Sequence, residues 1–405
     1  MRRLARALLL LAAFTIPWEY SLDFGPPLGN IARLAIIAVF LAMITAILQA
    51  GTMRKPGPLQ ILVLLLFLWF CCGCFWTIDR AETLHHLRGY IQEFILVWLV
   101  WELVDSPENL LDLLRAYLAG AFVLAAVTVG SFLLSSSADQ VRFFAENQDP
   151  NDVARFLDLA FPLAALLFGS ESRWPGKLLA ATYVPFGILA VLLTASRSGF
   201  LEALIALTGS AVLILHNHRR AFTLGFYALP AVLAAIWFAV PRQTLERLAT
   251  IPGELTQRDL NQRWEIWAAG WQAFVHAPLL GSGAGSFVAA AGLAPIDTAH
   301  NTALALLVEG GIVAILIATA IVITTASCAL ALAGTLRLAT GTALLTLLVG
   351  SIVATVHENR ATWLLLGIVA LAARLHAESP KALLHIFPTS LPGRATTVAG
   401  LVTQE

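Results

Sequence analysis

The run TALALLVEGGIVAILIATAIVITTAS, residues 302–327, decides the class of fold to which this chain belongs. Its one ionisable residue is Glu309, and its length exceeds the ~20 residues that a helix needs to cross a bilayer. Similar runs recur along the chain, which is 59% hydrophobic and 12% charged, whereas soluble domains carry about 25% charged residues. The alternation of a membrane β-barrel is absent from the sequence. We therefore predict an all-α polytopic membrane protein.

We expect about twelve membrane-spanning helices in a single integral-membrane domain, residues 1–378. The N-terminal run resembles a signal peptide, but no small-x-small cleavage site follows it, so we interpret it as the first span. Two spans are separated at Ser196–Gly199, because the charged Arg197 avoids the bilayer centre. Residues 379–405 are predicted to be a tail of little order. The expected spans are 4–18, 31–50, 59–76, 90–104, 110–135, 153–170, 178–195, 199–216, 221–240, 302–327, 336–356 and 361–375.

The basic residues between the spans predict the orientation. Arginines at positions 2, 3 and 6 place the N-terminus in the cytoplasm by the positive-inside rule. Alternation of the spans then puts all three lysines on the same side. The segments 136–152, 196–199, 241–301 and 357–360 lie outside, and 241–301 is the one large outer loop. Both termini, including the tail 379–405, are expected to be cytoplasmic.

The outer loop 241–301 contains a predicted helix from about Gln257 to Val275. Helical spacing puts Arg263, Trp267, Gly270 and Trp271 on one face. This face is either an amphipathic helix lying on the membrane or a platform for a sugar or lipid, with Arg263 as an anion ligand. Solvated or headgroup-facing positions are expected for the other loop arginines, Arg242, Arg247 and Arg258.

A glycine-rich turn, Gly281–Gly285, follows in the same loop. No strand precedes it and no Gly-Lys-Ser/Thr ends it, so it is not a nucleotide-binding motif. We expect close backbone packing or a re-entrant turn.

Arginine is the characteristic charge of the outer side, from which lysine is absent. Arg197, in TASRSGF, is either a snorkelling residue that marks a turn or an anion ligand beside the free amides of a helix N-terminus. The planar guanidinium suits bidentate binding of phosphate oxygens. We therefore expect an anionic group at the outer face.

His300 and Asn301 open the span 302–327. His300 is either a structural residue at a helix start or a general base, since two nearby arginines would lower its pKa and keep it neutral. Asn301 either orients His300 or caps the helix. Helical spacing puts Glu309 on the face opposite His300, where we expect packing or an internal ion pair.

Two further outer segments are polar. In Asp149–Asp152, Pro150 with an Asn or Asp cap is predicted to start a helix, and a substrate contact is the alternative. His357–Arg360 is predicted to be a polar turn, with His357 and Arg360 as supporting site residues if it touches substrate. The four cysteines lie in apolar runs and are expected to be small core residues. No DxD or His-Glu-x-x-His signature occurs outside, so we predict neither a metal nor a cofactor.

The order of these motifs resembles the O-antigen ligase and polymerase family of bacterial envelopes. SRSG lies between two mid-chain spans, RWEIWAAGWQAF and PLLGSGAGSF follow in the outer loop, and HNTALALLVEGGI opens a span. The similarity covers roughly residues 140–320 and the twelve-span layout. It implies a fold of the integral-membrane C-type glycosyltransferase kind, in the bacterial inner membrane, with the active site facing the periplasm.

The resemblance also implies the chemistry. The donor would be a glycan on undecaprenyl diphosphate, and a ligase would pass it to the lipid A–core oligosaccharide, with no nucleic-acid partner. Arg197 and Arg263 would bind the diphosphate, and His300 would act on the acceptor hydroxyl. Direct displacement would invert the anomeric centre without a metal. Apart from the resemblance, the candidate supporting residues are Asn301, Trp267, Trp271, Arg258, His357 and Arg360.

Related activities remain as alternatives. O-antigen or exopolysaccharide polymerases and protein O-glycosyltransferases share the motifs, but polymerases often show two sizeable outer loops, whereas only 241–301 is large here. A transporter of small anions is the rival class. It would need polar residues through several spans, and the sequence shows few besides Glu309.

Overall fold

The computed structural model describes residues 1–25, 28–135, 140–217, 219–251, 253, 263–295 and 297–388. These residues form helices and connecting loops, and the extended pairing among them is an isolated bridge between Asp23 and Asn30. In chain order the helices are α1 (Arg2–Thr15), α2 (Ile31–Ala50), α3 (Pro58–Cys72), α4 (Arg80–Leu103), α5 (Pro107–Leu134), α6 (Pro150–Ser170), α7 (Trp174–Leu193), α8 (Arg197–Asn217), α9 (Arg219–Ala239), α10 (Arg242–Ala249), α11 (Arg263–His276), α12 (Phe287–Ala291), α13 (Thr302–Ala331), α14 (Gly334–Val353), α15 (Arg360–Glu378) and α16 (Pro380–Ile386).

Within the described residues, 10 helices are long and apolar enough to cross a membrane, which confirms the all-α polytopic class. The other two expected spans correspond to α1 and α4. Helix α1 has 14 residues, fewer than the ~20 that span a bilayer. Helix α4 is long enough at 24 residues, but it carries ionisable residues along its length, including the buried Glu93 and Glu102.

The most enclosed helix is α6. In its apolar window 83% of the residues are buried, against none in the window of α9. Helices α6 and α8 also carry buried charges: Arg155 lies 2.5 Å from Asp152 and 3.6 Å from Glu202, and Asp158 is fully buried. The expectation of few ionisable residues besides Glu309 within the spans is therefore wrong. Pairing of opposite charges lets a membrane helix tolerate them.

The helix ends gather at two opposite ends of the bundle. At one, which we call the tail end, Arg2 pairs with Glu102 at 2.7 Å and Arg6 pairs with Asp105 at 2.8 Å. At the other, the loop end, Gln148 donates to the Pro17 carbonyl at 3.4 Å. The outer loop also lies there, since the Ile78 amide donates to the Ser282 carbonyl at 3.1 Å. This grouping follows the predicted alternation of the spans.

The glycine-rich turn packs its backbone directly against a break in α13. At Gly311, φ is 64° and ψ is −163°, which interrupts the helix. The amides of Ser282 and Gly283 donate to the carbonyls of Val308 and Glu309 at 2.8 and 2.9 Å. Gly281, at φ 70°, lies so close that an added Cβ would sit 2.5 Å from the Glu309 backbone. The expected close backbone packing is therefore present, and it supplies partners for carbonyls that the break leaves open.

The start of the expected tail is ordered. Residues Pro380–Ile386 form α16, which buries Leu383, and Phe387 after it is also buried. The expectation of little order is wrong for this part, because two well-spaced apolar side chains suffice to attach a short helix. The rest of the tail lies outside the described residues. The cysteines are all free, and none of them is fully buried as the core interpretation required.

Candidate active site

A cavity of about 740 Å³ lies at the loop end of the bundle. Its walls come from the start of α4, the start of α6 and the residue before it, the connection between α14 and α15, the first turns of α13, and residues between Gly285 and His300. Ten acidic or basic side chains line it together with Tyr20, and carboxylates predominate among them. The lining carboxylates are Asp79, Glu82, Asp149, Asp152, Asp297, Glu309 and Glu358, and the lining bases are His86, Arg155 and His300.

Four half-buried arginines lie together beside this cavity: Arg142, Arg197, Arg247 and Arg263. We call them the arginine cluster. Burial lowers the pKa of Arg142, and the positive charges of Arg247, Arg197 and Arg263 lower it further, while Asp149 opposes them. Burial likewise lowers the pKa of Arg263, again against Asp149. Four guanidinium groups around one nearby carboxylate make this region strongly attractive to an anion.

The turn before α8 holds three of these arginines. Arg142 donates from Nε to the Thr194 carbonyl at 3.1 Å, and Arg247 donates from Nε to the Ala195 carbonyl at 3.2 Å. Arg197, the first residue of α8, donates to the Thr250 hydroxyl at 3.0 Å. Arg197 is thus tied to the outer loop.

The turn itself is built by SRSG. Ala195 has a left-handed backbone, with φ 49°. The Ser196 hydroxyl donates to Asn151 at 2.7 Å and accepts from the Gly199 amide at 3.1 Å. Asn151 also accepts from Arg142 at 3.3 Å. Asp149 caps α6 as expected, accepting from the Asn151 amide at 2.7 Å. The capping interpretation of this segment is confirmed, and the same residues line the cavity.

His300 is half-buried, lines the cavity and has a left-handed backbone with φ 44°. Burial lowers its pKa from the ordinary value of 6.5, and the charge of Arg263 lowers it further. His300 is therefore neutral at neutral pH, the form in which it accepts a proton. The charge of Arg263 lowers the pKa of His300, and the charges of Arg197 and Arg263 both lower the pKa of Arg142. The three predicted site residues therefore converge on one region.

Several predicted supporting residues have structural roles. Asn301 caps α13, accepting from the Leu304 amide at 2.9 Å and donating to the Ile352 carbonyl at 3.1 Å. Trp267 donates to the Ala299 carbonyl at 3.0 Å and so braces the residue before His300. Trp271 is 52% exposed. Of the two tryptophans predicted for the platform, Trp267 lies on the more buried side of the helix with Arg263 and Gly270, whereas Trp271 does not. Arg258 lies outside the described residues.

The turn 357–360 divides into two parts. Arg360 forms an ion pair with Glu19 and donates to Gln92 at 2.8 Å, so it joins helices inside the bundle. His357 is buried behind the cavity wall, whereas Glu358 and Asn359 line the cavity. The turn therefore contributes to the site through residues other than the two expected.

Glu309 lines the same cavity as His300, so the expectation that they lie on opposite faces is wrong. Helical spacing does not apply between them, because His300 precedes α13 and has a left-handed backbone. Sequence reasoning also missed Arg142 as a site residue. The sequence could point to Arg142 only as one of the arginines on the predicted outer side, and nothing in it showed that Arg142 lies near Arg197.

Comparison with known families agrees with this geometry. Residues 182–319 match the family model described as O-antigen ligase. The matched segment contains Arg197, Arg263 and His300, and the match confirms the predicted family resemblance. The family is one of glycosyltransferase-like membrane enzymes with O-antigen ligase or polymerase-type activity. No curated protein shows significant similarity to the chain.

Proposed function

We propose, from the O-antigen ligase domain at residues 182–319, that the protein is an O-antigen ligase. It transfers an O-antigen glycan from undecaprenyl diphosphate to the lipid A–core oligosaccharide, at the periplasmic face of the bacterial inner membrane. The observation that carries the proposal is the arginine cluster beside a neutral, cavity-lining histidine. An anionic leaving group and a hydroxyl nucleophile are the two chemical partners that such a pair serves.

The reaction is a single displacement at the anomeric carbon of the glycan. The acceptor hydroxyl oxygen forms the new bond to this carbon while His300 takes the hydroxyl proton. The bond from the carbon to the diphosphate oxygen breaks, and the diphosphate leaves with the electron pair. Arg197 and Arg263 stabilise the charge that develops on it, which requires no metal at the phosphate. Attack opposite the leaving group inverts the anomeric configuration.

The charges around the cavity suit such a substrate. The arginine cluster attracts the diphosphate, whereas most of the ionisable side chains that line the cavity are carboxylates, which accept hydrogen bonds from sugar hydroxyls. A donor that is anionic at one end and rich in hydroxyls at the other matches both. This division also argues against a transporter of small anions, since an acidic cavity would repel its cargo.

The test is glycan transfer by the purified full-length protein. Lipid-linked O-antigen and rough lipopolysaccharide are supplied, and capped lipopolysaccharide is the expected product. Arg197→Ala, Arg263→Ala and His300→Ala should each lower the transfer rate about 10²-fold or more, as loss of a general base or of a charge-stabilising donor does. Arg242→Ala is the matched control, since Arg242 is an exposed loop arginine and should keep the wild-type rate.

Three results would count against the proposal. Wild-type transfer by all three variants would remove the proposed site. Lengthened lipid-linked glycan without capping would mean a polymerase. Anion flux in proteoliposomes that Glu309→Gln abolishes would favour the transporter.

A further inference from the structure

Three side chains that commonly bind metals meet beside the break in α13. An oxygen of Glu309, a ring nitrogen of His357 and an oxygen of Glu358 all lie within 4.8 Å of one another. Glu309 belongs to α13, whereas His357 and Glu358 belong to the 3-10 turn Val356–Glu358 that leads to α15. We call these residues the Glu–His–Glu triad. The displacement step proposed above uses none of them.

The triad contains buried polar atoms that have no partner. Glu309 is 3% exposed and His357 is 5% exposed. Oε2 of Glu309 and both ring nitrogens of His357 are buried without a hydrogen bond from the described residues. Buried polar atoms are normally paired, so atoms that converge without partners indicate a ligand between them.

The charge of the triad also requires compensation. Two carboxylates lie together, and His86 pairs with one of them, its Nε2 lying 3.5 Å from Glu358. His86 is shared, since its Nδ1 lies 3.0 Å from the Glu82 carbonyl and 3.7 Å from the Glu82 carboxylate. With both carboxylates ionised, one imidazolium divided among these acids leaves the site negative. A divalent cation would balance both carboxylates of the triad.

Packing fixes the three ligands in place. The ring of His357 stacks on Tyr90 with centroids 6.0 Å apart, and the His357 carbonyl accepts from Trp363 at 2.8 Å. The Glu309 carboxylate lies against the backbone amides of Gly285 and Phe287. Ligands held by their own neighbours bind a metal without having to be ordered first.

We propose that Glu309, His357 and Glu358 bind one divalent transition-metal ion. One imidazole nitrogen with two carboxylates is a ligand set for Zn²⁺ or Mn²⁺ rather than for Ca²⁺, which prefers oxygen ligands alone. The ion joins the broken helix α13 to the turn before α15 and so fixes two walls of the cavity. It is separate from the arginine cluster, which is held by the turn before α8.

Cobalt is the probe, because bound Co²⁺ absorbs visible light. Purified full-length protein, with any affinity tag removed and metals stripped by a chelator, is titrated with Co²⁺. We expect saturation at one ion per chain, displacement by Zn²⁺, and a melting temperature that rises with metal. Glu358→Gln and His357→Gln should each weaken binding by at least about tenfold. Glu82→Gln is the matched control, a carboxylate of the same cavity outside the triad.

The variants distinguish a specific metal site from general attraction of the ion to the carboxylates of the cavity. Equal weakening by Glu82→Gln and Glu358→Gln would mean diffuse attraction and would overturn the proposal, as would unchanged binding in both triad variants. If a triad variant does not fold, the wild-type titration decides alone, since binding that fails to saturate near one ion per chain overturns the proposal. Stability supplies a second readout. The rise in melting temperature that metal gives the wild type should be lost in Glu358→Gln.

Discussion

Arg142 is fixed beside the turn that begins α8, because it donates both to the Thr194 carbonyl and to Asn151. Its guanidinium lies close enough to Arg197 and Arg263 for their charges to lower its pKa. We predict that Arg142→Ala raises the KM for the lipid-linked donor and lowers kcat/KM by about 10- to 100-fold, the cost of about 1.5–3 kcal/mol for a lost hydrogen bond to a charged group.

Steady-state transfer assays over a range of donor concentrations measure this effect. Arg142→Lys keeps the charge but not both contacts, so it should recover only part of the loss. Arg242→Ala serves again as the exposed-arginine control. Unchanged donor KM in Arg142→Ala would show that this residue only supports the turn.

The pH dependence of transfer tests the role of His300. Burial and Arg263 hold the pKa of His300 below 6.5, so the base form predominates at neutral pH. We predict a rate that is flat through neutral pH and falls only once the pH drops below that ordinary value. The pH profile of kcat/KM measures it, with His300→Ala as the control. An acid limb that persists unchanged in His300→Ala would assign the titration to another group.

The candidate site was predictable where a residue stood out against its surroundings. Arg197, Arg263 and His300 are polar residues at the ends of apolar or aromatic runs, so the sequence marked them. Arg142 did not stand out in a short polar loop, and Asp149 was predicted first as a helix cap. Only folding brings the two residues to the turn before α8. Glu309 was misplaced because the left-handed backbone of His300 removes the helical relation between the two residues.

At the scale of elements, the turn Gly281–Gly285 and the break in α13 depend on each other. We predict that Gly281→Ala lowers the melting temperature and the transfer rate, because a Cβ would meet the Glu309 backbone at 2.5 Å. Overpacking of this kind costs about 1–3 kcal/mol, beyond the roughly 1–2 kcal/mol of a left-handed alanine. Backbone atoms have little freedom to move away.

Gly292→Ala is the matched control in a thermal unfolding assay. Gly292 has a similar φ of 64°, but an added Cβ there would meet nothing within 4 Å. Gly292→Ala should therefore lose only the stability that a left-handed alanine costs. Equal melting temperatures for the two variants would mean that the close approach of the turn to α13 contributes little to stability.

Most spans could be predicted from the sequence, because an apolar run of sufficient length has few alternatives to a membrane helix. The polar helix α4 and the short α1 depart from this pattern because their burial depends on neighbours rather than on their own composition. Helix α16 was missed for a similar reason. Its two anchoring side chains, Leu383 and Phe387, form no periodic run long enough to predict a helix.

Across the whole molecule, the lysines are confined to one end, whereas arginines occur at both ends. The three lysines belong to the tail end, where the Lys55 carbonyl accepts from Trp101 at 2.9 Å, whereas the arginine cluster lies at the loop end. The positive-inside rule counts short loops near the spans, so it places the tail end in the cytoplasm and exempts the large outer loop. The arginines of the loop end therefore do not set the orientation of the protein, which leaves them for binding the proposed diphosphate.

This sidedness gives the last prediction, which uses single cysteines in a background without the four native ones. A membrane-impermeant maleimide should label Glu146→Cys, at the loop end, in intact cells. It should label Trp174→Cys, at the start of α7, only after permeabilisation, because we predict that this end faces the cytoplasm. Both positions are exposed, so access to the reagent depends on the membrane alone. The reverse pattern would place the arginine cluster in the cytoplasm, where it could not meet a periplasmic donor.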